Sequence, residues 1–217
     1  MPFGGALLRW TIRLLGAFVV LSVLPVVVYR FVNPPVTPLM LIRRQGITQQ
    51  WVPLRDVSPF VLRAVVVAED GRFWEHRGVD WAALDRAREY NERQRGTRLR
   101  GGSTITMQCA RNVFLWPGRT YVRKLVEIWF AYLIELAWGK QRILEVYVNV
   151  IEWGDGLYGV EAAARRYFGI SAAALDAQQA ALLAASLPNP HRWNPQHPTP
   201  YLTARAALIA RRATANP

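Results

Sequence analysis

Cysteine occurs once in the 217 residues, at Cys109, so an internal disulfide and a cysteine-based zinc site are both excluded. Histidine is nearly as scarce. His76, His191 and His197 are too few and too scattered for a histidine-rich metal cluster. Lysine appears only at Lys124 and Lys140, and arginine supplies the other 25 of 27 basic residues. No GxxxxGK[ST] loop is present, which removes the usual nucleotide-phosphate cradle. Alternating strand patterns are missing outside short apolar runs, and no repeat or low-complexity stretch is visible. A single cysteine does not identify the compartment.

What is present is oily and basic. The chain is 52% hydrophobic, holds nine tryptophans and carries a formal charge of +12. Its length suits one full domain or two small lobes sharing a core. The charge favours anionic partners: nucleic acid, anionic lipid or a phosphorylated substrate. Residues 14 to 29, "LLGAFVVLSVLPVVVY", are uncharged and bracketed by Arg13 and Arg30. As a helix they span about 24 Å, short of a hydrocarbon layer of about 30 Å. Snorkelling arginines and the flanking Trp10, Phe31 and Val32 extend the apolar surface. Pro25 would kink such a span without forbidding it. A cleaved signal peptide is the main rival, but "YRFVNPPVTP" offers no small-x-small site; a buried soluble helix is the other. The positive-inside rule assigns no orientation, because arginines flank both ends. We expect a tail and anchor over 1–32, a linker over 33–49 opening with "NPPVTP", and the main body over 50–217. From residue 33 onward there are 24 basic and 15 acidic residues, a net +9 beside the lipid phosphates.

The body reads as mostly α. Helices are expected over 59–69, 80–93 with Asp80 as N-cap, and 104–115 with Ser103 or Thr104 as cap. A strong helix over 120–138 closes at Gly139, and 140–151 forms another helix or one entering a bend. Further helices follow the glycine-rich turn at 154–159, the alanine-rich run ends at "PNP", and a last helix covers about 200–213. Residues 94–102, "QRGTRLRGG", read as a basic loop, and "WPGR" at 116–119 as a turn.

Several residues carry chemical interest. Glu69 ends an oily helix, and burial there would raise its pKa into the range of a general base. A solvated helix end explains the same pattern. Asp70 could cap or support the following loop, and His76 could orient Glu69 or pack below it. Glu127 sits four residues after Arg123, an ordinary helix pair, but with an oily flank; Glu135 competes with it on spacing. Gly101, Gly102, Ser103 and Thr104 offer free amides at a helix start, where anions bind. Arg111, two turns on, could reach a phosphate oxygen. Two or three carboxylates could hold Mg²⁺ against a pyrophosphate.

Taken together the segments resemble a known family. "EDGRFWEHRGVD" (69–80), "RGGSTITMQCARNVFL" (100–115), "RKLVE" (123–127), "KQRILEVYVNVIEWGDGLYGVEAAARRYFG" (140–169) and "AALLAASLPNPHRWNP" (180–195) resemble, in order and spacing, the five motifs of the peptidoglycan glycosyltransferases of glycosyltransferase family 51. The match covers about residues 50 to 210. It is close to the monofunctional members of Gram-negative bacteria, including the "LWPGR" turn and the anchor.

The resemblance implies a lysozyme-like, two-lobed, mostly α fold with a hydrophobic jaw on the inner membrane, residues 1–12 in the cytoplasm and the body in the periplasm. It implies polymerisation of lipid II, a disaccharide-pentapeptide on undecaprenyl pyrophosphate, with inversion from the α-linked donor to a β-1,4 bond. Glu69 matches the general base and Glu127 the second essential glutamate, at the donor phosphate. Ser103, Thr104, Gln108, Arg111, Arg123 and Lys124 match positions lining the cleft. Asp70, Phe73, His76 and Gly78 match supporting positions around the base, with Gly101 and Gly102 beside them. No tightly bound cofactor is implied; Mg²⁺ or Mn²⁺ could accompany the pyrophosphate. Expected partners are lipid II, the growing lipid-linked strand, the inner membrane, and cell-wall synthesis or division proteins, with no nucleic acid.

Three positions depart from the family pattern. Met107-Gln108 stands where a glutamine pair is usual, Arg111 where lysine is usual, and Gln179 where many relatives place glutamate. Arginine keeps the charge but presents it as a planar fork. The penicillin-binding signature, SxxK with SxN and KTG, is absent from these residues, so strand synthesis without crosslinking is expected. Two rivals stand beside this expectation. A lysozyme-like or lytic enzyme would share fold and wall substrate. A membrane-tethered basic binder would use the arginine-rich stretch 86–100, although no nucleic-acid-binding module is visible.

Overall fold

A computed structural model describes residues 3–43, 46–94, 101–118 and 120–215. Most of the expected basic loop, 95–100, lies outside the described residues, as does Arg119 of the "WPGR" turn. Nine α-helices appear among the described residues: α1 (Phe3–Phe31), α2 (Pro38–Arg43), α3 (Pro59–Glu69), α4 (Trp81–Arg93), α5 (Ile105–Phe114), α6 (Tyr121–Val150), α7 (Val160–Phe168), α8 (Ala177–Ser186) and α9 (Pro200–Ala215). The mostly α expectation is met, with one addition. Three short strands, β1 (Thr48–Gln49), β2 (Glu152–Gly154) and β3 (Leu157–Tyr158), form a sheet ordered β1-β3-β2. β1 runs parallel to β3 in the register Thr48↔Leu157, and β2 pairs antiparallel with β3 through the glycine-rich turn. Strands of two or three residues are too short to show alternation, so the sequence pattern could not reveal them.

Helix α1 runs well past the uncharged core of residues 14–29. Its apolar span, Leu8–Phe31, has 24 residues, and its most apolar 18-residue window has a mean hydropathy of 2.3. At about 1.5 Å per residue it crosses a bilayer with length to spare. Its C-terminal half packs along α6. Trp138 Nε1 donates to the Val26 carbonyl at 2.7 Å, and Trp129 Nε1 to Ser22 Oγ at 3.1 Å. Arg142 donates through Nη2 to the carbonyls of Tyr29 (2.9 Å) and Val32 (3.0 Å). Those carbonyls lie at the end of α1, where helix geometry leaves them without partners, so one guanidinium closes the anchor onto the body.

The core is built on α5 and α6. Every second or third residue of α5 is apolar, and Ile105, Met107, Cys109, Ala110 and Val113 are all buried. Burial pushes the Cys109 thiol well up, leaving it a small inert hydrophobe. Helix α3 lies against α8 and α9 on the other side. Helix starts are capped as their sequence asks. Asp80 accepts from Ala83 N, Thr104 from Met107 N and Thr120 from Arg123 N, each worth about 1 kcal/mol. Gln179 completes a capping box with Asp176, so that departure falls at a structural position.

Helix α6 is two helices joined at Gly139, whose φ of 73° and ψ of 165° are open essentially to glycine alone. Helix resumes at once beyond it. The break turns residues 121–138 away from the line of 140–150. The first half carries an exposed apolar row, with Tyr121 at 93%, Leu125 at 68% and Leu136 at 87% exposure.

Candidate active site

Glu69 is the last residue of α3, and its chain neighbour Asp70 already leaves the helix. The helix delivers the carboxylate to the face of α5, where Gln108 Nε2 donates to Glu69 Oε2 at 2.9 Å. Gln108 is held in turn, since the Tyr147 hydroxyl donates to its Oε1 at 3.2 Å. Burial raises the Glu69 pKa above the ordinary glutamate value; the Gln108 hydrogen bond and the charges of Arg205 and Arg111 oppose it, and Asp70 adds a further upward push. Burial of Tyr147 pushes its phenol up strongly as well, so the hydroxyl stays protonated as a donor.

Asp70 is a bracket. Its two oxygens meet His76 Nε2 at 3.0 and 2.9 Å, and Oδ2 also accepts from the backbone of Ile105 at 2.9 Å. That second bond satisfies a free amide at the N-terminus of α5 and locks the loop 70–80 to the helix bearing Gln108. His76 therefore acts on Asp70, not on Glu69. Phe73 is fully buried, with Lys140 Nζ 4.4 Å above its ring. Gly78 has φ +89°; a Cβ there would meet Glu135 Cγ at 3.0 Å and the Ala131 carbonyl oxygen at 3.1 Å. Its own carbonyl accepts from Thr104 Oγ1 at 2.5 Å. Gly102 packs closely on α4, with Leu84 about as near, while Gly101 faces open space.

The second carboxylate is clearly separated from its competitor. Glu127 is fully buried and sits between two cations: Oε2 accepts from Arg123 Nη1 at 2.6 Å and Oε1 from Lys124 Nζ at 2.7 Å. Lys124 also reaches Ser103 Oγ at 3.1 Å. Glu135 binds Thr106 Oγ1 at 2.7 Å and Lys140 Nζ at 2.6 Å and touches Gly78, so it ties α5, α6 and the loop together. Arg111, Gln108, Arg123 and Tyr147 line one cavity of about 380 Å³, closed by Trp116, Glu152 and Pro190 among others. A desolvated carboxylate thus lies beside a polar cavity whose walls carry two guanidinium groups. That arrangement can take a proton from a hydroxyl and stabilise a departing polyanion.

The transglycosylase family model matches residues 37–214. A biosynthetic peptidoglycan transglycosylase of Rhodospirillum centenum is 54% identical over 210 residues, covering 95% of this chain and 90% of the relative. One from Caulobacter vibrioides is 52% identical over 204 residues (91% and 88%), and one from Bdellovibrio bacteriovorus 47% over 213 (94% and 84%). The chain belongs to the transglycosylase family.

Within this family's lysozyme-like, membrane-anchored fold, two of the departures acquire a physical meaning. Met107 is fully buried in the core, so its side chain packs and only Gln108 faces Glu69. Arg111 lines the cavity with Arg123. Two contributors to this candidate site carry no local signal in the sequence. Tyr147 stands in the apolar run of residues 140–151, where spacing marks only a helix. Arg205 lies on α9, more than a hundred residues from Glu69; its Nε is buried without a hydrogen-bond partner, and its charge acts on Glu69. Only the packing of α3 on α9 brings it there.

The donor set for a divalent ion is poor at Glu127, because both its oxygens already accept from cations. Among the described residues one group of three has converging donor atoms: Glu152, Asp155 and His191, all within 4.8 Å of one another. There the imidazole bridges the two carboxylates, at 3.2 Å to Glu152 and 3.0 Å to Asp155.

Proposed function

We infer that this chain polymerises lipid II into β-1,4-linked glycan strands, with Glu69 as general base and the cations of α5 and α6 receiving the leaving group. Membership of the transglycosylase family supports the reaction. The chain is a single-pass protein of the inner membrane with its catalytic body on the periplasmic side, and its partners are the lipid-linked substrate and that membrane. The observation that carries the residue roles is the Glu69 carboxylate, desolvated yet hydrogen-bonded only by a donor.

The chemistry follows from that placement. Glu69 begins as a carboxylate and takes the proton of the acceptor's 4-hydroxyl. The oxygen attacks C1 of the donor N-acetylmuramyl unit from the face opposite its pyrophosphate. The C1–O bond breaks with its electron pair on undecaprenyl pyrophosphate, and the α linkage becomes β. Arg111 and Arg123 line the cavity that would receive the developing charge, with Lys124 one residue away. Glu127 holds Arg123 and Lys124 in place and keeps two adjacent cations from repelling each other. Ser103 and Thr104 fix the α5 N-terminus, one through Lys124 and one through Gly78. A divalent ion would arrive with the pyrophosphate and not be held by Glu127. Contact with cell-wall synthesis or division proteins would use surfaces outside the cleft.

Purified full-length protein in detergent or vesicles, given lipid II alone, should produce glycan polymer and release undecaprenyl pyrophosphate. Digestion of finished peptidoglycan without polymerisation would establish the lytic alternative instead.

A further inference from the structure

The catalytic cavity is not the roomiest in the molecule. A second one, of about 630 Å³, opens between the small sheet, α7 and the loop after α8. It shares a wall with the first. Pro190 lines both, Glu152 lines the catalytic side, and Asp155 lines the far side. His191 joins those two carboxylates and thereby pins the 190–194 loop against the β2–β3 turn.

Its chemistry is distinct from that of a hydrophobic pocket. Arg165, Arg166 and Arg192 stand around it. Arg165 is matched by Glu161 at 2.7 Å, and Asp155 by His191. Arg166 and Arg192 are exposed, and among the described residues no carboxylate lies within salt-bridge distance of either. Two uncompensated guanidinium groups on one rim select an anion, and their planar forks suit a carboxylate. Trp193 lines the same cavity, half-buried and held by Tyr201 with ring centroids 5.5 Å apart, while Gln50 and Asn194 add amides. A fixed aromatic face with amide groups beside it suits a sugar ring.

We propose that this cavity is a holding subsite for the growing strand, receiving a sugar unit that bears an anionic peptide, beyond the linkage being formed at Glu69. The inference rests on the polymerisation reading and deepens it. A unit reacting at Glu69 would lie against the catalytic cavity, whose wall carries the Glu69 partner Gln108, and the second cavity lies across the Pro190 and His191 wall. Only a ligand longer than the reacting unit reaches both. Two anchoring points would keep the strand bound between additions, so the cavity sets strand length more than it sets the rate of the first coupling.

The test compares wild type with an Arg166→Ala/Arg192→Ala variant of the full-length protein on the same lipid II. The first coupling of two lipid II molecules serves as the reference, and mean strand length is read against it. The variant should make several-fold shorter strands relative to that reference. A second arm needs no variant: wild type given lipid II with amidated stem carboxylates should also shorten its strands. An unchanged length distribution in either arm overturns the subsite as proposed. Failure of wild type to polymerise lipid II at all would instead overturn the parent reading.

Discussion

Gln108 presents its amide nitrogen, not its oxygen, to Glu69, because Tyr147 donates a hydroxyl proton to that oxygen. The orientation matters chemically. An N–H donor binds the ionised carboxylate more strongly than the protonated acid and so favours the ionised form. Burial favours the neutral acid. Glu69 is therefore held between the two states, raised by desolvation and restrained by Gln108, Arg205 and Arg111. A base that must be ionised before the reaction and protonated after it needs this balance.

The raised pKa has a signed consequence for stability. A carboxyl whose folded-state pKa exceeds its unfolded value binds more protons in the native state across the window between them. Its contribution therefore falls as pH rises from about 4.5 through the raised value. Thermal melting of wild type and Glu69→Gln from pH 4 to 8 should show wild type losing ground to the variant as pH increases. The acid limb of kcat/KM should lie above the ordinary glutamate range. A flat difference between the melting curves contradicts the burial of this carboxyl.

Tyr147→Phe removes one hydroxyl and leaves the ring. A hydrogen bond of this type contributes about 0.5–1.5 kcal/mol, so steady-state kinetics should show kcat/KM down by about 2- to 12-fold. With its orienter lost, Gln108 can turn its oxygen to Glu69, and the acid limb should move to higher pH. An unchanged pH profile would show that Tyr147 only fills space.

Glu127→Gln leaves Arg123 and Lys124 adjacent without their shared counterion, at the place the proposed mechanism gives to the departing pyrophosphate. The initial rate should fall by about 100-fold or more. Glu135→Gln loosens Thr106 and Lys140 and should lower the melting temperature, with a much milder rate loss. Initial-rate assays on both variants, with the ranking reversed, would exchange their roles.

Gly78→Ala puts a side chain at a positive φ and within 3.1 Å of the Ala131 carbonyl oxygen. The strain should cost about 1–3 kcal/mol, measurable by denaturant unfolding. Activity should fall as well, because the same residue accepts from Thr104 at the start of α5. Wild-type stability would show that the loop shifts freely.

How much was legible beforehand depended on the range of the interaction. The helices at 59–69, 81–93 and 105–114, with caps at Asp80 and Thr104, were readable because capping and periodicity are local. The choice of Glu127 over Glu135 could not be made from spacing, since both lie on one helix face; it took Thr106 and Lys140 closing on Glu135 to separate them by geometry. His76 was expected to orient Glu69 or pack below it, and instead its ring binds both oxygens of Asp70, a pairing that spacing alone did not single out. The uncharged run of residues 14–29 is shorter than the helix that carries it, because Arg9 and Arg13 break the run without ending the helix. Arg205 and the second cavity depend on α9 and the 190–194 loop folding back, and no local pattern announces such returns.

The most direct test of the account is Glu69→Gln in a lipid II polymerisation assay, paired with a binding measurement on the same preparation. The account predicts that lipid II still binds with near wild-type affinity while polymer formation falls by about 100-fold or more. Polymer made at the wild-type rate by that variant would contradict it.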